Sequence, residues 1–224
     1  AVWEGLRVYK GRIAALGSHL ERLQNSAHAL AFASVPNLDE IRDAIFSTLE
    51  ANGMTDDTHI RLTLTRGEKI TSGMNPNLNQ SGCSLIVLAE WKRPFYSDDG
   101  IRVVTSAIRR NTPQCLDSKI HHNNLLNNIL AMQEAIRLGA DEAILLNHRG
   151  EFTECSQSNL FAVKDGVVST PPLNAGLLEG VTRTLLFQLS ADLEIPIREG
   201  VLRESDLDTI DELFITSTTR EIMP

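Results

Sequence analysis

Lys119 is the first candidate for chemistry in this sequence. It lies in "QCLDSKIHHNNLLNN", residues 114–128, among small polar residues and just ahead of a helical pattern. A lysine amine can form a Schiff base with a carbonyl compound when its surroundings favour the neutral amine. An ordinary solvated lysine is the alternative, because most lysines lie at the surface. The spacing alone does not decide between the two.

Glu154 is the second candidate, within "EFTECSQSNLF". Its neighbours include Thr153, Ser156, Ser158 and Asn159. A buried carboxylate held by hydroxyl groups can keep a ring nitrogen protonated. An acid that shapes a turn is the competing interpretation.

Three further segments could hold an anion. In "LLEGVTRT", Gly180 precedes a predicted helix whose first amides belong to Val181 and Thr182, and free amides at a helix start bind anions. The "TSTT" segment, residues 216–219, offers amides and hydroxyl groups at a strand end. Arg22 in "HLERLQNSA" adds a cation. A packing glycine and a solvated arginine are the alternatives.

Several other chemistries lack their sequence signatures. GxGxxG, GxxxxGK[ST], GxSxG and HExxH are all absent. The cysteines Cys83, Cys115 and Cys155 are odd in number, widely spaced and outside any CxxC pair. They indicate a reducing compartment, with cytoplasm as the expectation, and give no support for a zinc site. We therefore expect no metal.

Composition sets the remaining bounds. A chain of 224 residues is long enough for one large domain or two modest ones. A net charge of −8 and a pI near 5.3 argue against nucleic acid as the main partner. No apolar run approaches the roughly 18 residues that a membrane helix requires. We expect a protein without membrane or nucleic-acid partners.

The first half of the chain contains two predicted helices followed by two predicted strands. Ser18 and Glu21 have capping-box spacing at the start of "SHLERLQNSAHALAF", and Asn37 is predicted to cap "NLDEIRDAIFSTLEANG". "HIRLTLTRG" alternates apolar and polar residues, as is typical of a strand with one solvent-exposed face. "CSLIVLAEW" is predicted as a buried strand.

The second half follows a predicted linker at residues 92–100, "KRPFYSDDG". Beyond it come strands, a helix over "NNLLNNILAMQEAIRLG", a hairpin around Asp165 and Gly166, and a helix over "VTRTLLFQLSADL". We predict two α/β or α+β domains, residues 1–91 and 101–224. Because the chain opens in strand-like sequence and stops just after another strand, we expect both ends to be incomplete.

Taken in chain order, these segments resemble the class IV (fold type IV) pyridoxal-phosphate aminotransferases over nearly the whole chain. "VWEGLRVY", "HLERLQNSA", "DSKIHHNNLLNNILAMQEA", "TECSQSNLF", "LLEGVTR" and "TSTTREIMP" carry the resemblance. It implies a Schiff base on Lys119, a Glu154 contact to the pyridine nitrogen, and Leu178 packed on the cofactor ring. It also implies that Gly180 belongs to the cofactor site and that the phosphate is contacted by Arg22, Val181, Thr182 and Thr218.

The resemblance also implies an architecture. Family members are homodimers with a small N-terminal α/β domain and a larger C-terminal domain that contains a barrel-like sheet. Their active site lies in the cleft between the domains. The predicted linker would then help to form the wall of that site.

Substrate choice is less well defined by the resemblance. Asn124 stands where branched-chain enzymes usually have a tyrosine, and "TSTT" is closer to D-amino acid enzymes. "HIRLTLTRG" resembles the branched-chain strand whose arginine reads the substrate carboxylate, so Arg61 is a substrate candidate. The resemblance adds Trp3 and Thr219 as further substrate candidates. We expect transamination of branched-chain L-amino acids with 2-oxoglutarate. A D-amino acid or (R)-amine aminotransferase, an aminodeoxychorismate lyase-type elimination and a catalytically silent binding protein are the alternatives.

Overall fold

The computed structural model describes residues 1–94 and 99–224. The chain divides into two compact units. The first comprises Ala1–Pro94 with Ile120–Asn123, and the second comprises Phe95–Lys119 with Asn124–Pro224. Residues 95–98, in the middle of the predicted linker, lie outside the described residues. The return of residues 120–123 to the first unit is a feature that the predicted linear boundaries do not include.

The first unit is a four-stranded antiparallel sheet in the order β2-β1-β3-β4, with two helices packed on it. The strands are β1 (Val2–Tyr9), β2 (Arg12–Ile13), β3 (Thr58–Thr65) and β4 (Ser84–Trp91), and the helices are α1 (Leu16–Ala29) and α2 (Leu38–Ala51). A bridge from Val2 to His122 attaches the returning segment to β1.

The helix starts test the capping predictions. Asn37 caps α2 by accepting from the amides of Asp39 and Glu40, and the Glu40 side chain accepts from the Asn37 amide, so this capping box is confirmed. The prediction for α1 is wrong. The helix begins at Leu16, which places Ser18 inside the first turn, and Ala15 occupies the cap position in a left-handed conformation without a side-chain hydrogen bond.

The sheet of the first unit buries one face. Ile60, Leu62 and Leu64 of β3 are fully buried against the helices while the residues between them are half-exposed, which confirms the predicted alternation. The prediction of a buried β4 is wrong. Ile86 and Leu88 are 52% and 57% exposed, because they lie on the face of the sheet opposite the core. Only the alternate residues Leu85, Val87 and Ala89 pack against the core.

The second unit contains two sheets. One has five strands in the order β10-β9-β8-β11-β12, and the other has three in the order β5-β6-β7. The strands are β5 (Val103–Arg109), β6 (Glu142–Leu146), β7 (Phe152–Cys155), β8 (Asn159–Lys164), β9 (Val167–Thr170), β10 (Ile197–Glu199), β11 (Glu212–Ser217) and β12 (Glu221–Met223). The helices are α3 (Leu126–Arg137) and α4 (Val181–Asp192).

Local sequence explains much of the second unit. The hairpin of β8 and β9 turns at Asp165 and Gly166, both with positive φ, as predicted. Helix α3 links the parallel strands β5 and β6 and begins three residues later than the predicted segment. Helix α4 begins at Val181, directly after Gly180, which confirms the predicted start. These boundaries bring the ends of β7, β8 and β11 and the start of α4 into one unit.

Two negative observations apply to the described residues. No helix there combines the length and the apolar character that crossing a membrane demands. Within residues 1–94 and 99–224, no group of three or more histidine, cysteine, aspartate or glutamate side chains is arranged to hold a metal ion.

Candidate active site

Glu154 lies near the end of β7 and is 5% exposed. Its Oε1 accepts from Arg110 Nη2 at 2.6 Å, and its Oε2 accepts from the Leu178 amide at 3.0 Å and from Asn159 Nδ2 at 3.5 Å. The carboxylate is therefore surrounded by donors, including a full positive charge. This arrangement fixes the orientation of the carboxylate.

Two of the hydroxyl groups suggested as partners of Glu154 bond elsewhere. Thr153 donates to the Leu145 carbonyl and Ser156 donates to Glu142, so both hydroxyls bond to the neighbouring strand β6. Side chains alternate along a strand, which directs Thr153 away from the face of its neighbour Glu154. The carboxylate is buried, and among the described contacts the suggested neighbour Asn159 lies against it.

Arg110 is the residue that sequence reasoning missed. It follows β5, and its side chain is only 6% exposed. Its Nη1 donates to the side-chain oxygens of Asn127 and Asn128 at 3.3 and 3.0 Å. The adjacent arginines in "AIRRNT" at the end of the strand "IRVVTSAI" were the available signal, since arginine is seldom buried without a partner.

Asn159 links Glu154 to the start of α4. Its Nδ2 donates to the Leu178 carbonyl at 2.9 Å, and a Cβ added to Gly180 would lie 2.0 Å from its Oδ1. Only glycine fits this close approach. Helix α4 has no side-chain cap and no acidic residue in its first turn, so its first amides, at Val181 and Thr182, remain suited to an anion.

The turn between β11 and β12 carries the predicted threonines. Thr218 and Thr219 are half-buried, and the Thr219 and Ser217 hydroxyls lie 3.4 Å apart. Nearby in the unit, the buried hydroxyls of Thr216 and Ser158 have no hydrogen-bond partner among the described residues. Unsatisfied buried hydroxyls are uncommon, and a bound ligand is one way to satisfy them.

Lys119 occupies a turn and has an exposed side chain. Its amide donates to Asp117 Oδ1 at 3.0 Å. It is also the last residue of the second unit before the chain joins the first unit at Ile120. Ile120 packs against the core of the first unit, so the turn that carries Lys119 is anchored on its C-terminal side.

In the first unit, Arg22 is bound to a buried carboxylate. Glu4 is fully buried and accepts from Arg22 Nε at 2.8 Å and from Arg22 Nη2 at 2.7 Å. His19 and His121 contact the same carboxylate at 2.7 and 3.0 Å. Burial acts to raise the pKa of Glu4, but the charge of Arg22 and the histidine contacts outweigh it and hold the pKa well below its ordinary value.

Trp3 and Arg61 form a second pair in the first unit. The Arg61 guanidinium lies 4.0 Å from the Trp3 ring centroid, a cation–π contact, and its Nη2 donates to Asn123 Oδ1 at 3.0 Å. The Trp3 indole in turn donates to the His122 carbonyl at 3.2 Å. Both predicted substrate contacts of β1 and β3 are thus neighbours.

The structure therefore places the predicted residues in groups. Glu154, Leu178 and Gly180 meet around Asn159 in the second unit, while Trp3 and Arg61 meet in the first. Arg22 belongs to a cluster of the first unit that is centred on Glu4. His121 joins this cluster to Trp3, because it contacts Glu4 at 3.0 Å and its ring centroid lies 4.2 Å from that of Trp3.

Comparison with known proteins identifies the family. The family described as amino-transferase class IV matches residues 1–224. The chain belongs to the class IV aminotransferases. Its mixed α/β units are those of the fold type IV members, as predicted.

The relatives of the chain point to one branch of this family. It is 51% identical over its whole length to branched-chain-amino-acid aminotransferase-like protein 2 of Arabidopsis thaliana, of which it spans 40%. The Escherichia coli branched-chain amino acid aminotransferase structure covers the whole chain with a TM-score of 0.91 and 30% identity, and 75% of that structure is covered. A second branched-chain amino acid aminotransferase, solved in complex with N-(5'-phosphopyridoxyl)-L-glutamate, gives a TM-score of 0.89, 32% identity and coverage of 100% and 74%.

Proposed function

We propose that the protein containing this chain catalyses pyridoxal-phosphate-dependent transamination between an amino acid and a 2-oxo acid. The observation that carries the proposal is the buried Glu154 carboxylate, which Arg110 holds at 2.6 Å and the Leu178 amide holds at 3.0 Å. A fixed buried anion of this kind keeps a pyridine nitrogen protonated.

The residues of the second unit fit a phosphorylated cofactor. The uncapped start of α4 suits a phosphate group, and the buried Ser158 and Thr216 hydroxyls have no partner among the described residues. Gly180 allows α4 to begin against Asn159. When bound, pyridoxal phosphate supplies the electron sink for the electron pair left on the substrate Cα. Val181, Thr182 and Thr218 would hold its phosphate and Leu178 its ring.

Lys119 has two tasks in this proposal. Its amine would hold the cofactor covalently as a Schiff base. Once the substrate amine has replaced it, the Lys119 amine would move the proton at the substrate Cα as a general base and acid. Its place in an exposed turn with an anchored C-terminal side gives the amine room to move between these tasks. Arg22, oriented by Glu4, is proposed as a further phosphate contact.

The proposed substrates are branched-chain L-amino acids with 2-oxoglutarate as the amino acceptor. Trp3 offers an aromatic face to an apolar side chain, and the Arg61 guanidinium beside it offers charge to a carboxylate. Thr219, in the turn after β11, is the third proposed contact. The names of the matched relatives support this branch over the D-amino acid and lyase alternatives.

Assembly and location are proposals of the same kind. Ile86, Leu88 and Trp91 of the edge strand β4 are more than half exposed, and a second copy of the protein would bury them. We propose a homodimer in the cytoplasm, where three unpaired cysteines remain reduced. A small domain at residues 1–91, a linker at 92–100 and a larger domain at 101–224 remain the proposed organisation.

Visible absorbance tests the proposed function. The purified protein is loaded with pyridoxal phosphate, and its spectrum is followed after addition of L-leucine, with D-alanine in a parallel sample. Bleaching by L-leucine alone, with an oxo acid formed and 2-oxoglutarate needed for turnover, is the expected result. Bleaching by D-alanine alone would move the protein to the D-amino acid group. Pyruvate release without an acceptor would show elimination, and a protein that never takes up cofactor would refute the proposal.

A further inference from the structure

The ion pair of Arg110 and Glu154 carries an inference that rests on the proposed function. We propose that Arg110 is a positioning residue, which holds Glu154 as an oriented anion so that the carboxylate keeps the ring nitrogen of the cofactor protonated. Arg110 would act through Glu154 and need not touch the cofactor or the substrate itself.

The guanidinium of Arg110 is shared between two sets of acceptors. Nη2 reaches Glu154 Oε1 at 2.6 Å, while Nη1 donates to Asn127 Oδ1 at 3.3 Å and Asn128 Oδ1 at 3.0 Å. A planar, rigid guanidinium that is fixed at one edge also fixes the direction in which the other edge points. The position of the Glu154 carboxylate is therefore set by the start of α3.

The two asparagines are themselves oriented. The Nδ2 of Asn127 donates to the Arg109 carbonyl at 2.8 Å, and the Nδ2 of Asn128 donates to the Ser156 carbonyl at 2.8 Å. These bonds turn both amide oxygens towards Arg110. Both asparagines lie in the first turn of α3. Through Asn128 and Arg110, this turn connects Ser156, directly after β7, with Glu154 in β7.

The described contacts of Glu154 all come from donors, which favour its anion. Both side chains of the ion pair are 6% exposed, so water screens their attraction weakly. The other contacts of the carboxylate described above, the Leu178 amide and Asn159 Nδ2, are donors as well. A protonated carboxyl would turn its own hydrogen towards donors and leave Arg110 as a buried, unpaired charge, which is costly.

Stability alone is a poor explanation for this pair. A buried ion pair is often no more stabilising than well-packed apolar residues of the same size. A buried anion with a fixed orientation has a clear use in this family, because a protonated pyridine ring withdraws electrons more strongly than a neutral one. The geometry points to a series of orienting contacts from Asn127 and Asn128 through Arg110 to Glu154.

Nitrogen NMR of the bound cofactor tests the proposal directly. The protein is loaded with pyridoxal phosphate labelled at the ring nitrogen, and the protonation of that nitrogen is followed against pH. Four proteins are compared: the unsubstituted protein, Arg110→Met, Arg110→Lys and Arg149→Met. The last is a matched control, because Arg149 also pairs with a glutamate of the second unit, Glu151, at 2.6 Å but outside the site.

We expect Arg110→Met to lower the protonated fraction of the ring nitrogen, because loss of the guanidinium raises the proton affinity of Glu154, which then competes for the same proton. Its affinity for pyridoxal phosphate should fall about tenfold to a hundredfold, as is typical when a residue that orients a ligand-binding group is lost. Arg110→Lys keeps the charge but lacks the planar guanidinium. Its ring-nitrogen protonation and cofactor affinity should lie between those of Arg110→Met and the unsubstituted protein. Arg149→Met should match the unsubstituted protein.

A folded Arg110→Met variant whose ring nitrogen titrates as in the unsubstituted protein would overturn the inference. If Arg110→Met does not fold, Arg110→Lys decides alone, and an unchanged titration and affinity in that variant would overturn it equally. The proposed function fails separately, and earlier, if the unsubstituted protein binds no cofactor. The inference about Arg110 can thus be wrong while the proposed transaminase function stands.

Discussion

Arg22 and Glu4 lie 18 residues apart and form a two-point ion pair inside the first unit, with Nε to Oε1 at 2.8 Å and Nη2 to Oε2 at 2.7 Å. Glu4 is fully buried on β1, and Arg22 is on α1. The pair therefore orients the guanidinium before any ligand arrives. In the proposed function, this fixes the direction of a phosphate contact.

The Glu4 carboxylate gives the first prediction. Glu4→Gln should lower the free energy of unfolding by about 3 kcal/mol at neutral pH, because it leaves Arg22 without its buried partner. The folded protein holds the pKa of Glu4 well below the ordinary value of 4.5. Its stabilising contribution is therefore complete above pH 4.5 and is lost as the pH falls through the folded-state pKa.

Urea unfolding of both proteins at several pH values measures this effect. The difference in unfolding free energy between the unsubstituted protein and Glu4→Gln should shrink below pH 4.5. His121 should contribute little to that change near neutrality, because burial lowers its pKa. A difference that stays constant across the acid range would show that Glu4 is not the titrating group.

Gly180 gives the second prediction. Gly180→Ala would place a Cβ 2.0 Å from Asn159 Oδ1, so either Asn159 or the start of α4 must move. Affinity for pyridoxal phosphate should fall about tenfold or more, since the proposed phosphate amides move with the helix. Fluorescence titration of the apoprotein measures it. Gly200→Ala is the matched control, because a Cβ there meets nothing within 4 Å.

The cysteines give a third prediction. The side chain of Cys115 is exposed, that of Cys83 is partly buried and that of Cys155 is buried. Burial raises the pKa of Cys155 well above its ordinary value, and the Glu142 charge adds to the effect. An aromatic disulfide reagent should therefore modify Cys115 first and leave Cys155 unmodified until the protein unfolds. Peptide mass spectrometry identifies the labelled residue, and early labelling of Cys155 would contradict the described core.

Local pattern predicted those parts of the fold that depend on local contacts. The capping box at Asn37, the alternation along β3 and the hairpin at Asp165 and Gly166 each need only residues close in sequence, and each is confirmed. The apolar run of β4 was misread because an unbroken apolar sequence does not show that one face of its sheet remains uncovered. Ser18 failed as a cap because a helix can start earlier on a left-handed residue such as Ala15.

Partners that are distant in sequence explain what was missed at the site. Arg110 and Glu154 are brought together by the packing of the second unit, and no local spacing records their contact. The same holds for Glu4 and His121, which meet only because residues 120–123 return to the first unit. The family resemblance named Lys119, Glu154 and Arg22, but the groups that orient Glu154 and Arg22 came from the structure.

Reduction of the cofactor-loaded protein tests the central claim most directly. Borohydride converts the C=N bond between a lysine and bound pyridoxal phosphate to a stable secondary amine, and peptide mass spectrometry then identifies the lysine. We predict a phosphopyridoxyl group on Lys119, its loss in Lys119→Ala, and no change in Lys164→Ala, an exposed lysine of the same unit. A group attached to a different lysine, or none on a protein that has bound the cofactor, would contradict the account.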